Sequence, residues 1–502
     1  MSVAKVTTVQ PHVLSGTVVT IEADISRGLH SFSIVGLAGK AIDESKDRIS
    51  SAIKHSGFVS PKTKNHKITI SLSPADVKKD GPLFDLPIAL AYLIASEEIA
   101  ADVSEYICIG ELGLDGTLRG VRGVLNCVLA AKEAGYKKVI VPNDNVREAA
   151  LVEGISVFGA DSLYSVIAHL LLEDESAALP VAPTTTLSDE WYESSVTLED
   201  IKGQETAKRG LIIAAAGKHN VMFVGPPGTG KTMLARALRG LLPPLTREEA
   251  LAVTAIYSLT SSKFDISTRP PFRSPHHTAS HTALVGGGTN PKPGEITLAH
   301  NGVLFMDEFP EFDRRSLDAL RQPLEDKVVS ISRVQGSAEF PADFILVAAL
   351  NPYRGSFDGT ADLARAMQET YKNKVSGPIL DRIDLWLEVP HVNYDTLTAL
   401  KTTTGETDGA RTQIIAARER MLARHDAKGV INASLSARDI EKYIFLNDAV
   451  KDLLKISSLK LNLSPRGYHR LIKVSRTIAD LDQSEHVETS HVLEALQYRV
   501  PL

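Results

Sequence analysis

Cysteine is scarce in this chain: its 502 residues include only Cys108 and Cys127. That excludes a disulfide scaffold or a four-cysteine zinc site and suits a reducing compartment. No run of 18 apolar residues occurs, and the start, MSVAKVTTVQ, lacks the apolar core of a signal peptide. The expectation is a cytoplasmic protein with no membrane partner. A surplus of positive charge is missing too. The formal net charge is −6, so no global basic field recruits nucleic acid, and any DNA contact must come from local Lys and Arg. What is present is ordinary for a soluble protein, 43% hydrophobic and 23% charged residues. This is material for several cores.

Patterning divides the chain. In 1–175, HKITISL (66–72), YICIGEL (106–112) and KKVIVP (137–142) read as strands. LPIALAYLIASEEI (86–99) and VLNCVLAAKEAG, ending on Gly135, read as helices, which gives an α+β pattern. The acidic, Ala/Pro/Thr-rich stretch EDESAALPVAPTTTLSDE lacks periodicity and places a flexible or extended linker at 176–195. Segment 196–392 alternates strands (VMFV, VLFMD, ADFILVAAL, LWLEV) with helices, the pattern of a parallel sheet covered on both faces. Segment 393–502 is helix-rich. There Arg411, Arg418, Arg420 and Arg424, with Glu419 and Asp426, read as a solvated helix face rather than a DNA-binding stripe.

The run VMFVGPPGTGKTMLARAL carries G-x-x-x-x-G-K-T between an apolar strand and a helix. In this context Gly225, Pro226, Pro227, Gly228, Thr229 and Gly230 form a loop whose backbone N–H groups close on phosphate at a helix N-terminus. Lys231 reaches the outer phosphates, the Thr232 hydroxyl binds Mg²⁺, and Met233, next on the helix, completes the expected nucleotide-binding set. GVLFMDE supplies the second half: Asp307 as a Mg²⁺ partner and Glu308 to polarise the attacking water. Paired with the loop, these carboxylates point to ATP hydrolysis rather than nucleotide storage. Asn351, at the end of AALNP, either orients that water or simply starts a turn before Pro352.

Residues 196–502 resemble the ComM/YifB family, the magnesium-chelatase-like branch of AAA+ ATPases. The runs DIKGQETAKRGLIIAAAGKHNVMFVGPPGTGKT, RPPFRSPHHTASHTALVGGG, PKPGEITLAHNGVLFMDEFPEF, VSGPILDRIDL and LSPRGYHRLIKVSRTIADL carry the likeness. The resemblance implies that Asn351 is the sensor-1 residue and that Arg382 is a finger completing a neighbour's ATP site. It also implies that Arg466 is a sensor-2 arginine on its own subunit's γ-phosphate, and that Ile201 and Gly203 lie near the adenine. A planar, permanently charged guanidinium suits the charge on a transferred phosphoryl group. A finger acting in trans needs a closed head-to-tail ring, and the resemblance implies a homohexamer. The family often has cysteines after the sensor-1 Asn-Pro; here NPYRGSFDG has none, so no metal knuckle is expected, and Tyr353 and Arg354 remain candidates for stacking or backbone contact.

Segment 267–302 holds His276, His277, His281, His300, Lys292 and Gly286–Gly288. Metal binding by His276, His277 and His281 lacks an acidic or cysteine ligand at suitable spacing. Two readings stand: pore-facing loops that offer donors to DNA phosphates, and a hairpin that docks neighbouring subunits.

Residues 20–170 resemble the Lon protease fold, which uses a Ser–Lys dyad. KDGP (79–82) matches the run before the serine, but Leu83 follows. GELGLDGTLRGVRGVLNCVLAAKEAGYKKVIVPNDN matches the lysine region, but Cys127 stands at the lysine position. Peptide hydrolysis by that route is not available. The expected architecture is therefore multidomain: an α+β Lon-like N-terminal domain without its dyad (1–175), an α/β P-loop core with a parallel sheet (196–392) and a helical C-terminal lid (393–502). The resemblance implies a ring-forming DNA motor that migrates branched DNA in recombination and natural transformation. The alternative is an ATPase that remodels a protein partner, as the chelatase I subunit does.

Overall fold

The computed structural model describes residues 3–12, 14–171, 178–188, 190–261, 266–288, 292–333, 336–351, 377–393, 405–425 and 430–499. Tyr353, Arg354 and Asp426 lie outside them. Two compact units emerge: Met1–Ser188 with Arg247–Ser267, and Asp189–Thr246 with Thr268–Leu502.

The first unit is built on a seven-stranded sheet. Its strands are β1 (Ala4–His12), β2 (Ser15–Arg27), β3 (Ser31–Val35), β4 (His66–Ser73), β5 (Tyr106–Cys108), β8 (Lys138–Pro142) and β9 (Ser156–Ala160). They lie in the order β3-β4-β2-β1-β5-β8-β9. A separate two-residue ladder joins β6 (Glu111–Leu112) to β7 (Leu118–Arg119). In β4, Ile68, Ile70 and Leu72 alternate inward, the period-2 signature of a half-buried strand. β1 and β2 pair antiparallel from Ala4 opposite Ala23 to His12 opposite Ser15, a hairpin that the sequence reading did not pick out.

YICIGEL does not form one strand. β5 stops at Cys108 because the backbone at Gly110 is engaged elsewhere: Gly110 N–H donates to the Leu83 carbonyl, and its own carbonyl accepts from Leu86 N–H, both at 3.1 Å. Helices α1 (Lys40–His55), α2 (Asp85–Ala95) and α3 (Val124–Glu133) complete the core. Every residue of α2 from Asp85 to Leu93 is buried, as befits a helix apolar all round. Each fully buried Leu or Ile there contributes roughly 1.5–3 kcal/mol.

The helix Arg247–Ser258 lies within the ATPase stretch of the sequence but folds with this first unit. Ala255 joins its core. Ser258 Oγ donates to the buried Glu148 carboxylate at 2.7 Å, and the Ser258 carbonyl accepts from Gly123 N–H at 2.9 Å. Val181 to Thr185, in the expected linker, lie along the same unit: Ala182 N–H reaches the Val157 carbonyl and Thr185 N–H that of Ala150.

In the second unit five parallel strands form one sheet in the order β11-β14-β17-β10-β18. They are β10 (Val221–Val224), β11 (Phe272–Arg273), β14 (Val303–Met306), β17 (Ile345–Leu350) and β18 (Leu385–Glu388). β10, β14 and β17 are buried at every residue, which is why they read as unbroken apolar runs. Two hairpins stand apart: β12 (Gly286–Gly287) with β13 (Lys292–Pro293), and β15 (Val328–Arg333) with β16 (Gly336–Pro341). Helices α4 (Glu205–Gly217) and α5 (Lys231–Leu241) flank the sheet.

The C-terminal helices are Glu406–Arg424, Ala437–Tyr443, Asp448–Lys460, Pro465–Leu481 and Thr489–Gln497. Ser436, Asn447 and Ser464 cap three of them with side-chain acceptors. The charged face expected on Glu406–Arg424 is instead largely committed inside the unit. Arg411 Nε donates to the Gly240 carbonyl and Arg418 Nη2 to that of Ala215. Arg424 pairs with the buried Asp480. Long side chains on a charged helix looked solvated, yet orphan carbonyls and a buried carboxylate draw their guanidiniums inward. Among the described residues no helix is long and apolar enough to cross a membrane.

Candidate nucleotide-binding site

Strand order builds the site. β17 lies between β10 and β14, so the carboxyl ends of three strands stand side by side: Gly225 after β10, Asn351 after β17 and Asp307 after β14. Ligands of open parallel sheets bind at this edge. Gly225 passes so close to the Val389 carbonyl that a Cβ would lie 2.2 Å from its oxygen, and Gly230 enters α5 at φ +95. Both positions demand glycine.

Lys231 is buried. Its ammonium donates to the carbonyls of Gly225 and Pro226 at 2.8 and 2.7 Å. Burial lowers its pKa, with the Asp307 carboxylate opposing. Thr229 Oγ1 braces the loop by donating to the Pro226 carbonyl at 3.0 Å. Thr232 Oγ1 donates to Asp307 Oδ2 at 3.3 Å, so the two expected Mg²⁺ partners meet. Hydroxyl and carboxylate are hard oxygen donors that fit Mg²⁺, and loop, lysine and helix N-terminus fit a triphosphate. Met233 follows, 40% exposed.

Glu308 has left-handed backbone geometry, φ 50 and ψ 45. Its N–H is held by Asp307 Oδ1 at 2.9 Å, and its carboxylate faces His277, Nδ1 to Oε2 3.0 Å. Asn351 Oδ1 is buried without a hydrogen-bond partner among the described residues. Such an atom costs free energy until something binds it. Ile201 is buried and Gly203 sits at φ +65. Their loop is tied beside β18 through Gln204 Nε2, which donates to the Pro390 carbonyl at 2.6 Å. Glu199, in the same loop, accepts from Thr407 N–H and Oγ1. Burial pushes its carboxyl up, but those bonds outweigh it and hold the pKa at about 2.

The chain is 44% identical to the competence protein ComM of Haemophilus influenzae over 490 residues, 96% of this chain and 94% of that one. It is equally similar, 44% over 486 residues with the same coverage, to the protein YifB of Escherichia coli. The chain belongs to the ComM/YifB family of magnesium-chelatase-like AAA+ ATPases. Family models agree: magnesium chelatase, subunit ChlI, matches residues 197–397, and its C-terminal model matches 405–499. Residues 21–145 match a model also described as subunit ChlI of Mg-chelatase. A shorter likeness, 29% over 245 residues, links 40% of the chain to 35% of the magnesium-chelatase 67 kDa subunit of Heliobacterium mobile. Membership implies an ATPase.

The two arginines singled out by the ComM/YifB resemblance converge on a residue the sequence reading missed. Arg382 pairs with Glu325 through Nη2, and its Nη1 donates to the Pro378 carbonyl at 2.6 Å. Arg466 Nη2 donates to the other oxygen of Glu325 at 2.6 Å. All three line a cavity of about 600 Å³ that contains no residue of the phosphate loop. Arg466 thus stands beside Arg382. Nothing local in RQPLED marked Glu325 as more than a helix-surface charge.

In segment 267–302, Arg273 forms a bidentate pair with Glu295, both contacts 2.6 Å. Ser280 caps the short helix His281–Val285, and the hairpin β12–β13 follows. His300 does not take part in an exposed loop. It is buried, and its Nδ1 accepts from Asp343 N–H at 3.1 Å. In the first unit, Leu83 is buried in a 3-10 turn. Cys127 is fully buried, and burial, then the charge of Glu148, pushes its thiol far above the usual range.

Proposed function

We propose that this chain is an ATP-driven, ring-forming DNA motor that migrates branched DNA during recombination and natural transformation. The observation that carries the reading is near-full-length similarity to a protein named for competence, joined to a phosphate loop, Asp307, Glu308 and Asn351 at one sheet edge. The shorter likeness to a chelatase subunit, over 40% of the chain, supports a shared engine rather than a shared task.

The residues have distinct roles in this proposal. The loop N–H groups of Gly228, Thr229 and Gly230 and the Lys231 ammonium hold the β- and γ-phosphates, with Lys231 giving up its two carbonyl partners to do so. Thr232 and Asp307 would hold Mg²⁺, which would supply charge neutralisation to the phosphates. Glu308 takes a proton from the attacking water at a carboxylate oxygen as the bond to the leaving ADP oxygen breaks. Asn351 orients that water with its Oδ1. Ile201 and Gly203 flank the adenine.

Arg382 and Arg466 together meet the charge of a neighbouring copy's γ-phosphate, which requires a ring, read here as a homohexamer. The hairpin β12–β13 with Lys292 faces the DNA. The N-terminal unit is a Lon-like scaffold without chemistry: Leu83 has no nucleophilic atom, and Cys127 is too deeply buried to supply a thiolate.

The test is ATP-dependent conversion of a synthetic four-way junction to forked duplexes. The reading expects conversion by the wild type and none by Glu308→Gln. Wild-type protein that hydrolyses ATP but leaves the junction intact counts against it.

A further inference from the structure

Arg382 leads into β18 through a short turn, and one residue at the opposite end of the sheet from the phosphate loop holds that turn. Asn220 stands just before β10, the strand whose carboxyl end carries Gly225. β10 lies between β17 and β18, so a side chain at its amino end reaches both neighbours.

Asn220 uses every polar atom it has. Its Oδ1 accepts from Leu346 N–H on β17 at 2.9 Å. Its Nδ2 donates to the Arg382 carbonyl at 3.0 Å. Its backbone N–H donates to Asp384 Oδ2 at 3.0 Å, and its carbonyl accepts from the N–H groups of Asp384 and Leu385, both at 3.0 Å. An N–H on one side and a carbonyl on the other fix which way the amide points. Aspartate would lack the donor, and glutamine would be a methylene too long.

Asp384 is itself anchored. It is buried, with Oδ2 3.6 Å from His219 Nδ1 and Oδ1 3.4 Å from Arg470 Nε. Burial pushes its carboxyl up, but His219 and the Arg470 guanidinium outweigh that and hold it well below the usual carboxylate range. The backbone from Arg382 to Leu385 is thus pinned, while the Arg382 guanidinium meets the Pro378 carbonyl and Glu325. A fixed root under a long side chain lets the guanidinium exchange Glu325 for a phosphate without a shift of the chain.

We propose that Asn220 is a positioning residue for Arg382: its carboxamide ties the Arg382 backbone to β10 and β17 and so sets where the guanidinium meets a neighbouring copy's γ-phosphate. The inference rests on the reading of Arg382 as a finger acting in trans. Damage at either end of β10 lowers turnover, and mixed rings tell the two apart.

The experiment measures ATP turnover by full-length Asn220→Ala, Arg382→Ala and Glu308→Gln chains, alone and in pairwise mixtures, with binding of a fluorescent ATP analogue followed in parallel. Asn220→Ala should lower kcat by up to about 10²-fold, the scale of a misplacement of about 1 Å, and leave KM and analogue affinity near wild type. Mixed with Glu308→Gln it should regain part of the lost turnover, because its own base is intact and only its finger is misplaced. Added to Arg382→Ala it should cost nothing further. Asn220→Asp keeps the acceptor for Leu346 N–H and removes the donor to the Arg382 carbonyl; it should behave like alanine and serves if the alanine chain does not fold. Wild-type turnover in either variant, or a loss that Glu308→Gln chains do not repair, overturns the inference. Failure of the underlying reading looks different: Arg382→Ala then turns over like wild type, or is itself not repaired by Glu308→Gln, and the inference falls with it.

Discussion

Arg382 and Arg466 grip opposite oxygens of a single carboxylate, Glu325. Only Arg382 is buried; Arg466 and Glu325 are about half exposed. An arginine that serves a neighbouring copy must first leave such a partner, and the two are placed to leave together. If both act in trans, Arg382→Ala or Arg466→Ala chains mixed with Glu308→Gln chains should recover part of the turnover that each lacks alone. Each mixed ring then contains interfaces with an intact base on one side and intact arginines on the other. Recovery with Arg382→Ala but not with Arg466→Ala would place Arg466 on its own subunit's nucleotide.

Asn351 makes a separate prediction. Its Oδ1 is buried and has no hydrogen-bond partner among the described residues, beside the end of the phosphate-loop strand. Asn351→Ala should lower kcat by roughly 10²-fold, the lower range for a group that positions a proton transfer, while KM for ATP stays within a factor of a few. Steady-state kinetics separate the two. A change confined to KM would make Asn351 a binding residue.

The first unit should show an unusual pH response. Burial pushes the Asp85 carboxyl up to about 6, against the pull of the Arg48 guanidinium and Leu112 N–H. Its folded pKa therefore exceeds the unfolded one, and between about pH 4 and 6 the folded state binds more protons. The stabilising contribution is full below pH 4 and is lost as pH rises through about 6. The loss is at most about 3 kcal/mol. Hydrogen exchange of α2 amides, compared with Asp85→Asn at each pH, should show protection falling over that window in the wild type only.

The thiols provide a check on the inert scaffold. Cys108 and Cys127 are both fully buried, and burial pushes both thiols up, Cys108 to about 12. Native protein should resist a thiol reagent at pH 8 until it unfolds. Rapid labelling of Cys127 in the folded chain would show an accessible nucleophile.

The ATP site was legible because its signals are local. A fully buried parallel strand is an unbroken apolar run, and a phosphate loop needs glycines at fixed spacing, so β10, β14 and Gly225–Thr232 stand out in the sequence. What stayed hidden depends on distant packing. Nothing within 247–267 announces that it folds with the N-terminal unit; that follows from partners such as Glu148 and Gly123. Glu325 looks like any helix carboxylate until two arginines from elsewhere reach it. His277 looks like one loop histidine among several until β11 sets it beside Glu308. The arginines of Glu406–Arg424 misled because charge pattern alone cannot reveal a buried Asp480.

The central claim, that this ATPase drives DNA, is tested most directly by ATP turnover at low salt with and without forked DNA. The account predicts that forked DNA raises wild-type turnover several-fold and leaves Glu308→Gln silent. Wild-type turnover that is indifferent to DNA would contradict it and favour a protein partner.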